Sequence, residues 1–165
     1  MFGKAGCTLR TFSLLKGLPV YDETGKMYGR VCDLAISDEG SVMGLLMNRK
    51  TLFKKTCLLS LQDVVAFNSE GIIVRQTPKP STLNHNRVYT LQHQRAIANK
   101  MIITDQGEEI GLLDDVYFSE QKGTIIAYEI SNGFFSDITE GKKTVHTRKP
   151  PSLEGDTIEI SPKMY

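Results

Sequence analysis

Apolar and polar positions alternate along most of this chain in short runs, each closed by a turn rich in glycine, asparagine or aspartate. Alternation of period two is the pattern of a half-buried strand. In the first half the runs predict strands at residues 18–21, 30–37, 42–47, 56–59, 64–67 and 71–75. In the second half they predict strands at 101–104, 112–119, 124–131, 144–146 and 157–161. Strict alternation would place Cys32, Leu34 and Ile36 on one face of their strand, and Met43, Leu45 and Met47 on one face of the next. Val116 and Phe118 answer Leu34 and Ile36, while Ile126, Tyr128 and Ile130 answer Met43, Leu45 and Met47. Glu129 falls on the solvated face.

The two sets are copies of one unit. Gly25, Gly29 and Asp33 spell Gly-x-x-x-Gly-x-x-x-Asp, and Gly107, Gly111 and Asp115 spell it again. Residues 11–17 read as one helical turn ended by Gly17. Residues 95–99 repeat that ending with Asn99 in the glycine's place, Leu15 matching Ile97. Glycine and asparagine are the residues that best tolerate the positive φ at such an end. Residues 1–10 show no period and read as a loosely held lead-in. Prolines and small polar residues at 77–82 mark a linker, with a short strand at 87–90 that would pack across the two units. The expected organisation is all-β: two small β-barrels in tandem with short helical turns, over residues 11–76 and 95–161, joined by a linker over 77–94. Units of roughly 65 to 75 residues lie near the lower end of what folds alone. The two are therefore expected to bury part of their surface against each other.

Composition narrows the class. Of 165 residues, 40% are hydrophobic and 24% charged, as in folded soluble domains. No apolar run approaches the roughly 20 residues that span a bilayer, and the N-terminus lacks the apolar core of a secretory signal. A cytoplasmic location is the expectation. Cys7, Cys32 and Cys57 are widely spaced and contain no Cys-x-x-Cys pair, so neither a zinc site nor a disulfide framework is indicated. Cys32 and Cys57 lie in apolar runs, where a free cysteine acts as a small buried hydrophobe. The net charge of +1 is unevenly divided. Residues 1–96 hold 13 Lys/Arg against 7 Asp/Glu, whereas residues 97–165 hold 7 against 12. Such halves would attract each other within a chain, or head to tail between chains as a homo-oligomer.

The strand order, the glycine spacing and the helical turn resemble the PRC-barrel domain, named for the H subunit of the photosynthetic reaction centre. The residues that carry it are 15–20, 25–34 and 40–45 in the first half, and 97–103, 107–116 and 123–130 in the second. The resemblance implies a six-stranded barrel-like fold used for association, as in the C-terminal domain of a bacterial small-subunit ribosome maturation factor. It implies no catalytic constellation. The copies diverge after Ser131, where Gly133-Phe134-Phe135 stands in place of Arg49-Lys50-Thr51.

Candidate chemistry is sparse. Asp33 and Asp115 recur at one position; acid–base or cation-binding work is one reading, and a carboxylate accepting backbone hydrogen bonds beside the glycine turn is the simpler one. The glycine pair precedes a strand, so it lacks the helix N-terminus of a phosphate-binding loop. His85, His93 and His146 have no metal-ligand spacing, and no serine stands in a nucleophile-elbow setting. No cofactor, metal or catalytic residue is expected. The strongest polar cluster is Arg49, Lys50, Phe53, Lys54 and Lys55, cations around an aromatic that suit phosphate contacts with a stacking platform. Lys142, Lys143, Arg148 and Lys149 lie in roughly the matching region of the second copy. Phe134 and Phe135 are candidates to cap a barrel or meet a partner. The sequence thus points to a non-enzymatic adaptor acting through protein–protein contacts. A factor associated with RNA or the ribosome through residues 49–55 is the alternative.

Overall fold

The alternating runs form two twisted sheets, in a computed structural model that describes residues 8–50, 52, 55–75, 81, 88–153 and 155–163. The elements of the first repeat are β1 (Leu9–Thr11), α1 (Phe12–Leu15), β2 (Pro19–Asp22), β3 (Met27–Ser37), β4 (Val42–Arg49), β5 (Thr56–Ser60), a 3-10 turn (Leu61–Asp63), β6 (Val64–Asn68) and β7 (Gly71–Val74). Those of the second are β8 (Val88–Thr90), β9 (Met101–Thr104), β10 (Glu109–Ser119), β11 (Ile125–Ser131), α2 (Phe134–Glu140), β12 (Lys143–His146) and β13 (Thr157–Ile160). One sheet runs β5-β4-β3-β2-β7-β6, the other β12-β11-β10-β9-β13. The pairs β2–β7 and β9–β13 are parallel. Among the described residues no helix is long and apolar enough to cross a membrane.

Each sheet is organised around one strand of 11 residues, β3 or β10. One edge of that strand is covered by the following strand, β4 or β11. The start of the other edge is covered by β2 or β9. Its remainder is covered by a strand from the opposite repeat. β8 pairs with β3 through Ala35↔Thr90, Ile36↔Tyr89 and Ser37↔Val88. β1 pairs with β10 through Leu9↔Ser119, Arg10↔Phe118 and Thr11↔Tyr117. The repeats therefore exchange their leading strands about an approximate two-fold relation. Residues 9 and 10, expected to be loosely held, are fixed by this pairing. The Arg10 guanidinium holds Glu120 of the second repeat and donates 3.1 Å to the Phe67 carbonyl of the first.

The hairpins beyond the long strands also meet, Ser41 bridging Thr124 and the Val42 N–H donating 2.8 Å to the Gly123 carbonyl. One apolar core results. Phe12, Leu15, Leu34, Ile36, Leu45 and Met47 belong to the same buried cluster as Ile97, Val116, Phe118, Tyr128 and Ile130. The matching of the helical ends holds: Gly17 has φ 81 and Asn99 φ 65, and each donates its N–H to the long strand, at Val31 and Leu113.

In each repeat the two β-bulges between the long strand and the strand that follows it correct the assignment of faces. The register of β3 on β4 shifts between Val31 and Asp33 and again between Ala35 and Ile36, and β10 on β11 shifts at the equivalent places. A bulge inserts one unpaired residue and reverses the side-chain phase beyond it. Cys32 therefore leaves the face of Leu34 and Ile36, where Val31 takes its place, and joins Ala35, Leu46, Leu58 and Val88 in a small separate cluster. Met43 is 40% exposed, and Val42 fills the core position instead. Likewise Ile125, not Ile126, lies in the core with Tyr128 and Ile130.

The expected Phe-Phe loop is a helix. Gly133 precedes α2, and Asp137 in its first turn accepts from the Ser131 hydroxyl (2.5 Å) and the Asn132 N–H (3.2 Å). A carboxylate near a helix start satisfies donors left open there. The placement of the Phe134 and Phe135 side chains lies outside the described residues.

Tyr128 occupies the core position of Leu45 and is fully buried; among the described residues its hydroxyl has no hydrogen-bond partner, and burial pushes its pKa up. A buried hydroxyl without a partner costs about 1–3 kcal/mol. Tyr128→Phe is expected to leave stability unchanged or raise it by up to ~1 kcal/mol in urea unfolding, against the loss usual for core substitutions.

The carboxylate clasps and a candidate binding surface

The aspartates of the repeated motif close the exchange. A bulge of each long strand stands immediately before the aspartate, and both carboxylates are buried. Asp33 Oδ1 accepts from the N–H groups of Leu34 (2.8 Å), Leu91 (3.1 Å) and Gln92 (3.2 Å). Its Oδ2 accepts from the N–H groups of Gln92 (3.1 Å) and His93 (3.0 Å), and lies 2.5 Å from His93 Nδ1. Asp115 mirrors this. Oδ1 accepts from Phe12 (3.1 Å) and Val116 (2.7 Å), and Oδ2 from Ser13 (2.9 Å). Apart from the aspartates' own neighbours, Leu34 and Val116, the donors are the first N–H groups after β1 or β8, where the chain leaves the exchanged strand. Each repeat thus supplies the acceptor for the other's turn. Each carboxylate accepts backbone N–H groups, one from the next residue of its own strand and the others from across the two repeats.

The glycines have separate tasks. Gly25 and Gly107 hold φ near 85° (87 and 84) at the hairpin turn. Gly29 permits close approach, since a Cβ there would stand 2.1 Å from the Asn48 carbonyl oxygen. Asp22 closes the first turn, accepting from the Thr24 hydroxyl and the N–H groups of Thr24 and Lys26, and from the Tyr28 hydroxyl. Thr104 does the equivalent work in the second copy. The bonds, that from the Thr24 hydroxyl foremost, hold the Asp22 carboxyl below its usual pKa of 3.8. A depressed carboxylate contributes stability above its unfolded pKa and loses it as pH falls through the folded one. The stability gap between the native chain and Asp22→Asn is accordingly expected to be full at neutral pH and to shrink below about pH 4. Urea unfolding at several pH values reads it.

Other reactive groups are subdued or scattered. Burial, with Asp33 adding to it, pushes the Cys32 thiol up to about 11, and burial also raises Cys57. In a Cys7→Ser background, both thiols are expected to react with a disulfide reagent at pH 8 roughly tenfold or more slowly than in the unfolded chain. His85 lies outside the described residues, His93 contacts Asp33, and His146 lies in β12. Among the described residues no group of three His, Cys, Asp or Glu is placed to hold a metal ion.

The cations of the first repeat gather at one end of its sheet. Arg49, Lys50 and Lys55 are exposed there, with Leu52 fully exposed; Phe53 and Lys54 lie outside the described residues. Sequence reading missed two neighbours, Met27 and Arg30. The register of β3 on β4 sets Arg30 beside Asn48 and Gly29 beside Arg49, so the hairpin spacing was the signal that could have found them. Met27, Gly29, Arg30, Asn48 and Lys50 line a shallow groove of about 410 Å³. The matching cations of the second repeat do not form such a set. Lys142 is held by Asp114 (2.7 Å) and Glu129 (3.6 Å), which raise its pKa, the Asp114 bond foremost. Arg148 shares a smaller groove of about 170 Å³ with Asp105 and Glu108.

A pair of small barrels sharing one Gly-x-x-x-Gly-x-x-x-Asp corner is the tandem form of the PRC-barrel domain. The sequence pattern of that domain matches residues 8–79 and again 93–163, and the chain belongs to the PRC-barrel family. A relative described as "Uncharacterized protein YrrD", from Bacillus subtilis (strain 168), is 30% identical over 140 residues, which cover 84% of this chain and 79% of the relative.

Proposed function

We propose that the chain is a non-enzymatic interaction module of the cytoplasm, whose welded pair of barrels presents a fixed surface to a protein partner. The observation that supports this is the fate of the repeated aspartates. Asp33 and Asp115 are buried and engaged with backbone N–H groups of the opposite repeat, so the aspartate of the repeated motif serves architecture in both copies. What differs between the copies is surface: a cationic end on the first, carboxylates on the second. Association through RNA or a ribosomal particle is the second reading, favoured by the exposure of Arg49, Lys50 and Lys55. Affinity capture from native lysate, with and without nuclease, decides between them. The protein reading expects the same proteins to be retained after nuclease. Capture that vanishes on nuclease treatment contradicts it.

A further inference from the structure

Building on the protein-binding reading, we infer that the groove between Arg30 and Lys50 is the contact site, and that it takes an acidic protein segment bearing an apolar side chain. The groove is lined by Met27 and Gly29 together with Arg30, Asn48 and Lys50. Arg49 stands opposite Gly29 on the neighbouring strand, and the Arg49 N–H binds the Lys55 carbonyl (3.2 Å), bringing the end of the basic stretch back to the groove. Arg30 reaches the carbonyl of Gly17 (3.0 Å), beside Lys16. Among the described residues Arg30, Arg49, Lys50 and Lys55 form no ion pair. Their charge is available to an anionic partner, and the apolar Met27 lining to one hydrophobic anchor, the combination of a small protein interface with a polar rim.

The second repeat serves as an internal comparison. The register equates Arg30 with Leu112, Asn48 with Ser131 and Lys50 with Gly133, and the turn equates Lys26 with Glu108. The same barrel end is therefore built without these cations, so the fold does not require them. Among the described residues Tyr28, between Met27 and Gly29 in the chain, argues against nucleic acid. The Tyr28 hydroxyl donates to Asp22, and the Lys26 ammonium lies over its ring 5.3 Å from the centroid, which leaves that face closed to a stacking base.

The test is fluorescence anisotropy on the full chain, with a labelled peptide of alternating glutamate and leucine as probe. A lysine–leucine peptide and an oligouridine serve as comparators. Binding of the acidic peptide is expected, weakening with salt, and falling at least about tenfold in Arg30→Glu/Lys50→Glu. Lys122→Glu/Lys163→Glu, which changes net charge equally at exposed sites elsewhere, should leave it within about twofold. Lys50→Gln, milder to the fold, should give a smaller loss in the same direction. Absence of peptide binding, or equal loss in both double variants, overturns the proposal. So does tighter oligouridine binding that the groove variant abolishes, or salt-reversible self-association abolished by it. If nuclease-resistant protein capture survives the groove variant unchanged, the groove is rejected while the interaction module stands.

Discussion

Asp33→Ala should destabilise the whole chain by about 3–5 kcal/mol, the scale of stranding buried partners of a charged group. The carboxylate is fully buried and serves four backbone N–H groups, at Leu34, Leu91, Gln92 and His93. Alanine leaves the N–H groups of Leu34, Leu91 and Gln92 without this acceptor, while that of His93 keeps the Thr90 hydroxyl (3.0 Å). Asp33→Asn is expected to be little better, because its amide nitrogen turns a donor toward donors. Asp115→Ala removes the acceptor of three N–H groups and should cost less, about 2–4 kcal/mol by the same reasoning. Urea unfolding followed separately by near-ultraviolet absorbance and by backbone circular dichroism gives both numbers. A cost below about 1 kcal/mol for Asp33→Ala would reduce the clasp to an ordinary surface contact.

Gly123→Val is expected to match it, at about 3–5 kcal/mol, from strain at positive φ combined with overpacking. Gly123 has φ 71, and a Cβ there would stand 2.0 Å from the Val42 carbonyl oxygen of the other repeat. Backbone cannot rotate aside as a side-chain tip can. Gly25→Ala is the internal control: its φ is 87, but nothing lies within 4 Å of an added Cβ, so only the strain of about 1 kcal/mol remains. If the two variants cost the same, the hairpin contact between repeats carries no packing weight.

The repeat was plain in the sequence, because a turn that needs positive φ and a strand that must approach its neighbour closely leave glycines at fixed spacing. The strands were also plain, since each has one buried face. The bulges were not. An extra residue has no composition of its own: the bulges at Cys32 and Asp114 on the long strands, and at Met43 and Ile126 on their neighbours, silently move Cys32, Met43 and Ile126 off the faces that alternation assigned to them. The strand exchange was invisible for a different reason: β1 pairs with Tyr117–Ser119 of β10 through a backbone ladder that Ala35–Ser37 of β3 could equally offer. Cis and trans pairing have one pattern, and only the linker's path and the partner hairpins choose between them. For the same cause Asp33 was legible as a backbone acceptor while its donors, Leu91 to His93, were not. The surface was half legible. Composition marks residues 49–55, but the groove's Met27 and Arg30 come from the register of a neighbouring strand.

The central claim is that the two repeats form one body by reciprocal exchange of their leading strands. Its most direct test is a protease site placed between Ser81 and Val88, cut in the folded protein. The account predicts that the two fragments stay together on size exclusion and unfold in one transition, with Asp33→Ala making them separable. Fragments that part in native buffer as two independently folded barrels would contradict it.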